Sequence, residues 1–198
     1  MTSYSAYCPV CNTTATWTPY SGENGSDNIL NVASHLYLAK DTTYASGTTF
    51  LVSYKKVCFN LNGYDLTAEE GAKYAFACAA TTSFIDTYGG SVVTGYGTTG
   101  GASTIHANST SVQYHLYGGT WTRPSADSGT YVFFMSTKGG SINVYDGATI
   151  DAKGDNTGGV AYIRGGISDA GSVQKATFNI RGGQIKNGKI KENGYENI

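Results

Sequence analysis

Apolar and polar residues alternate in short stretches along most of the chain, and no window sustains a 3.6-residue period between helix caps. A period of two marks strands whose two faces meet different surroundings. Five stretches share one pattern: an alternating segment runs into a Gly, Asn or Asp corner and then into another β-branched or aromatic position. They are Cys58–Leu66 (CFNLNGYDL), Ile85–Val93 (IDTYGGSVV), Tyr114–Trp121 (YHLYGGTW), Ile142–Ile150 (INVYDGATI) and Phe178–Ile185 (FNIRGGQI). Their corner glycines, Gly63, Gly90, Gly119, Gly147 and Gly183, follow one another at steps of 27, 29, 28 and 36. The enlarged last step predicts an insertion within Ile167–Lys175 (ISDAGSVQK).

Aligned on these glycines, Cys58, Ile85, Tyr114, Ile142 and Phe178 form a column able to face a core. The next column, Phe59, Asp86, His115, Asn143 and Asn179, is mostly polar and points outward. The first segment breaks the rule, since Phe59 and Leu61 read as inward, so its register is expected to slip by one. A further strand recurs in each unit, at Tyr74–Cys78, Thr104–His106, Tyr131–Met135 and Val160–Ile163. Ala68–Tyr74 (AEEGAKY) reads as a single helical turn.

A unit of this length cannot bury its own apolar face, but stacked copies can. The predicted fold is therefore all-β: a right-handed parallel β-helix of about five coils. Residues 35–198 are assigned to the solenoid and residues 1–34 to a small Cys-containing cap. A Greek-key sandwich would instead place turns every ~8–12 residues.

Composition narrows the function classes. Glycine fills 27 of 198 positions, about twice the ~7% of average chains, and charged residues make up 14% against the usual ~25%. A net charge of −1 offers no basic face for nucleic acid. No apolar run reaches the ~20 residues of a membrane-spanning helix. Arg164, Arg181, Lys186, Lys189 and Lys191 give the last coils a local basic character. Met1–Val10 lacks the basic start and apolar run of a signal peptide, so a secreted chain would carry its signal upstream.

Cys8-Pro9-Val10-Cys11 is a C-x-x-C pair, half of a tetrahedral zinc site. His35 is the nearest further ligand, giving Cys8, Cys11 and His35 as the metal candidates. A local disulfide and two inert thiols are the competing readings. Cys58 and Cys78 lie in apolar stretches and read as small buried hydrophobes. Tyr88, Tyr117 and Tyr145 precede the corner glycine by two residues, with Trp121 just beyond it. If exposed, they form an aromatic strip for ligand binding; if not, they stabilise stacked coils.

The order CPVC, TATW, SHLYLAKDTT, VCFNLNGYDLT, YGGTW, GGVAYIRGG and FNIRGGQI, spread over most of residues 7–188, resembles repeat-containing surface proteins of Gram-positive, largely gut-dwelling bacteria. That resemblance implies a pectin-lyase-like β-helix with an N-terminal Cys knuckle, located on the cell surface or secreted. It also implies further coils beyond Ile198. The expected role is adhesin-like and non-catalytic, binding host or wall glycans or surface proteins, or serving as a stalk.

The alternative is part of a polysaccharide lyase or glycoside hydrolase of the same fold. Those reactions need clustered or paired carboxylates. Aspartates such as Asp41, Asp65, Asp86, Asp127, Asp146, Asp151, Asp155 and Asp169 are scattered singly.

Overall fold

A computed structural model describes residues 2–22, 34–95, 102–125, 130–136, 139–154, 159–164, 166–167, 173–187 and 190–192. Three sheets, parallel within the solenoid, wind around a common interior. The first contains β2 (Thr13–Pro19), β3 (His35–Tyr37), β5 (Val57–Asn60), β8 (Thr82–Ile85), β11 (Gln113–Leu116), β14 (Gly140–Val144) and β19 (Ala176–Ile180), with β1 (Tyr4–Cys8) antiparallel at its edge. The second contains β4 (Thr42–Tyr44), β6 (Leu66–Ala68), β9 (Ser91–Val93), β12 (Thr120–Thr122), β15 (Thr149–Asp151) and β20 (Gln184–Lys186). The third contains β7 (Tyr74–Phe76), β10 (Ser103–Ala107), β13 (Tyr131–Met135), β16 (Gly159–Ile163) and β21 (Ile190–Glu192). Four turns run from β5 to β16, each contributing one strand to each sheet. In the predicted insertion β17 (Gly166–Ile167) pairs antiparallel with β18 (Val173–Gln174), between β16 and β19 in the chain.

Like residues pile up inside, as a parallel register requires. Leu36, Phe59, Phe84, Leu116 and Val144 are successive partners in the first sheet, all buried. Leu66, Val92, Trp121, Ile150 and the partly buried Ile185 are successive partners in the second. Phe76, Ile105, Phe133 and Ala161 do so in the third. Rings bridge the sheets, with Phe76 4.5 Å from Phe84 and Phe84 4.8 Å from Trp121 between centroids. Each such side chain contributes roughly 1.5–3 kcal/mol on burial.

The ladder corrects the glycine alignment. Tyr114, Ile142 and Phe178 share a column, but Cys58 partners Ser83 and Ile85 partners Asn60. Both point away from the main core. The corner between the first two sheets is longer in the earlier turns: Phe59 to Leu66 and Phe84 to Val92, against Leu116 to Trp121. The slip expected for the first segment therefore extends to the second. Gly90, Gly119 and Gly183 open their second-sheet strands in register, whereas Ala148 rather than Gly147 takes that place in the fourth unit. The helical turn expected over Ala68–Tyr74 is a tight turn, in which the Ala72 N–H donates to the Glu69 carbonyl and Gly71 has a φ of 77°.

Candidate metal centre and adjoining groove

The hairpin β1–β2 joins the first sheet at its β3 edge, where Thr18 and Pro19 of β2 pair, and its turn reaches the outward residues of β3 and β5. Its register closes at Cys8 opposite Thr13, and the connecting residues turn at Asn12, which adopts a φ of 55°. The Tyr7 hydroxyl donates to the Asn12 side-chain carbonyl across that turn at 2.5 Å. C-x-x-C spacing in so short a connection sends both sulfurs to the same side.

On the solenoid, His35 and Cys58 are direct partners on β3 and β5. Adjacent strands are ~4.8 Å apart, so two outward side chains at one rung meet at ligand distance. The outcome is a four-residue cluster: ligand atoms of Cys8, Cys11, His35 and Cys58 all lie within 4.8 Å of one another. Cys11 is exposed and the other three are buried. The Cys11 and Cys58 sulfurs are 3.3 Å apart, which brackets, with the 4.8 Å limit, the ~3.7 Å edge of a tetrahedron with ~2.3 Å metal–sulfur bonds.

The histidine fits a ligand role. Its Nδ1 is 3.1 Å from the Ser34 hydroxyl, while Nε2 is buried without a hydrogen-bond partner among the described residues. An orphaned buried nitrogen costs about 1–3 kcal/mol, and a partner on Nδ1 is what orients a ligating imidazole. Trp17 packs edge-on against the ring at 5.0 Å. Around the cluster Cys8, Trp17, Tyr37, Cys58 and Ile85 form a second, small buried core separate from the solenoid interior. Burial pushes the Cys11 and Cys58 thiols up and the His35 imidazole down. Desolvation thus disfavours the charged form of each of these groups, a cost that a cation bound among them would offset. The group of four can hold a metal ion.

Cys58 is the member of the cluster that the sequence reading missed. The signal was present in the alternation. Phe59 and Leu61 read as inward, and a period of two then turns Cys58 outward, toward the knuckle. Cys78, by contrast, is buried beside the Tyr114 hydroxyl, which accepts from the Cys78 N–H at 2.7 Å.

A groove of about 650 Å³ adjoins the centre. Tyr4, Ala6, Tyr7, Pro9 and Val10 line one side, from the hairpin. Asn60, Asp86, Tyr88, Tyr117 and Asp146 line the other, from the solenoid face and its corners. The outward row of the first sheet runs Tyr37, Asn60, Ile85, Tyr117, Tyr145, and the hairpin covers only its beginning. Beyond it Tyr117 and Tyr145 stack at 4.4 Å and 13°. His115 joins them, with Nδ1 3.1 Å from the Tyr145 hydroxyl. Burial, aided by the charge of Arg181, pulls the His115 imidazole down.

Tyr88 stands off this row in the longer corner and is 76% exposed. Trp121 requires a correction: it is wholly buried, its indole N–H donating to the Gly118 carbonyl at 3.0 Å. The alternation Thr120-Trp121-Thr122 places it inward, so it belongs to the core and not to a ligand strip.

The described aspartates serve the corners. Asp41 accepts from the Asp65 N–H, and Asp65 accepts from the N–H and hydroxyl of Ser91. Asp86 accepts from the N–H groups of Gly63, Tyr88, Gly89 and Gly90, and Asp146 from that of Gly183. Asp151 is partly desolvated, yet the Lys153 N–H, the Asn187 amide and the Lys153 ammonium hold its carboxyl below the usual range. Asp127, Asp155, Asp169 and Lys189 lie outside the described residues. Comparison with protein-family models, curated proteins and solved structures finds no match for this chain.

Proposed function

We propose that this chain is a non-catalytic β-solenoid binding module of a bacterial surface protein, adhesin-like, with a structural zinc ion at its hairpin end. The observation that carries the reading is the groove between hairpin and solenoid, where tyrosines from both sides are left open to solvent. Exposed tyrosine rings offer large, rigid contact area at low conformational cost, suited to the apolar faces of sugar rings or to a protein partner. The corner aspartates support the non-catalytic part. Each described one accepts backbone N–H groups, so these carboxylates are occupied in holding successive turns together.

Three thiolates and one imidazole match the donor set of structural zinc, and soft sulfur ligands favour zinc over magnesium or calcium. Cys8, Cys11 and Cys58 would supply sulfur and His35 Nε2 the fourth ligand. With four protein ligands no position is left for substrate, so the ion's contribution is to folding. The low charge content and the surface-protein resemblance support an extracellular setting.

A glycan array probed with the chain, alongside product assays on uronic-acid polymers with and without Ca²⁺, tests the reading. Saturable binding that falls at least tenfold in a Tyr88→Ala/Tyr117→Ala variant, with no bond cleavage, is expected. Unsaturated or hydrolysed products would overturn it in favour of a β-helix polysaccharide-degrading enzyme.

A further inference from the structure

One wall of the groove is the hairpin and the other is the solenoid, and the four candidate ligands are divided the same way. Cys8 and Cys11 sit in the hairpin beside the wall residues Tyr7, Pro9 and Val10, while His35 and Cys58 sit on β3 and β5. We propose that metal loading assembles the groove: the ion clamps the hairpin wall onto the solenoid, and ligand binding in the groove and metal binding are positively coupled. This rests on the reading above, that Cys8, Cys11, His35 and Cys58 hold one ion.

The hairpin's other attachments are slight. β2 meets β3 at two rungs, Thr18 with Leu36 and Pro19 with Tyr37. The Tyr37 hydroxyl donates to the Thr2 carbonyl at 3.1 Å, and Tyr4 packs edge-on against Tyr37 at 4.9 Å. Of the five buried residues in the small core beneath, Cys8 and Cys58 are themselves ligands. A two-stranded hairpin is marginal by itself in water. Trp17, buried against His35, is the main further anchor, and it packs on a ligand; bonds from one ion to both walls therefore add directly to what holds them at a fixed separation. A ligand touching both walls binds the clamped state preferentially, and linkage makes the effect reciprocal.

The test uses zinc alone as the probe, with hydrogen exchange read peptide by peptide on the full chain. Stripping a confirmed single zinc with a chelator should speed exchange across residues 4–19 at least a hundredfold. Amides of β11 and β14 should stay within twofold. Hydroxyl-radical labelling of Tyr4 should rise severalfold in the same sample. Cys11→Ser, which alters the exposed ligand and leaves the buried ones in place, should give the zinc-free pattern at any zinc concentration. Zinc that binds and leaves exchange over residues 4–19 unchanged when removed overturns the coupling and leaves the metal centre standing. Failure to bind zinc at all overturns both.

Discussion

The sulfurs of Cys11 and Cys58 lie 3.3 Å apart across 47 residues of sequence. No local motif joins them; the meeting depends on a hairpin whose turn reaches the outward residues of a solenoid with turns stacked in register. Cys58 is thereby separated in role from Cys78, although both are buried in strand-rich stretches. Cys58→Ser should lower zinc retention at least a hundredfold, whereas Cys78→Ala should keep one zinc per chain. Metal analysis after gel filtration distinguishes them. Because the turns from β5 to β16 stack without the ion, the main urea transition of Cys58→Ser should persist.

Adjacent glycines at one corner should differ in their tolerance of a methyl group. Gly89 has a φ of 93° and open space around the site of a Cβ, so Gly89→Ala should cost about 1–2 kcal/mol, the backbone penalty alone. A Cβ on Gly90 would press on the Tyr64 carbonyl oxygen and lie 2.9 Å from its nitrogen. Those are backbone atoms of the preceding turn and cannot swing aside. Gly90→Ala should cost about 3 kcal/mol, measured by urea denaturation of both variants.

Asp86 holds its own corner through the N–H groups of Tyr88, Gly89 and Gly90 and ties it to the preceding turn through that of Gly63, at 2.6–3.4 Å. Asp86→Ala leaves those donors without their acceptor and should destabilise by about 2–4 kcal/mol. Asp86→Asn, which keeps one acceptor oxygen, should recover part of the loss. If Asp86 instead served catalysis, stability would hardly move.

Acid should weaken the solenoid through His106. Burial pushes its imidazole down to about 4, and the ring is enclosed by Tyr74 at 4.2 Å and Phe134 at 5.1 Å. Unfolded, the group titrates near 6.5. Between those values the unfolded chain binds more protons, so stability falls as pH drops from about 6.5 to about 4. It is independent of this group above and below that window. Urea midpoints at pH 7.5 and pH 4.5 should converge in His106→Gln relative to the parent. A residual slope of the same sign is expected from His115, whose imidazole is also pulled down.

The fold was largely legible because a solenoid writes its period into the chain. Glycine corners found the turns, the stretches at Tyr74, Thr104, Tyr131 and Val160 found the third sheet, and the long last step found the hairpin insertion. Register was less legible. A corner two or three residues longer keeps its glycine but shifts every side chain before it, which is why Ile85 and Cys58 were aligned with inward residues. The metal centre was three-quarters visible, from C-x-x-C and the following His35. Its fourth member belongs to the next turn, and only the outward direction of Cys58 relative to Phe59 pointed to it. The groove was less visible still. Tyr4 and Tyr7 enter it because the hairpin joins the sheet at its β3 edge, a tertiary arrangement that local alternation does not encode.

Zinc K-edge X-ray absorption on the purified, zinc-loaded chain tests the centre of this account most directly. Three sulfurs at about 2.3 Å and one nitrogen at about 2.0–2.1 Å are predicted. A shell of oxygen and nitrogen without sulfur would contradict it, as would a chain that takes up no zinc because Cys11 and Cys58 are joined as a disulfide.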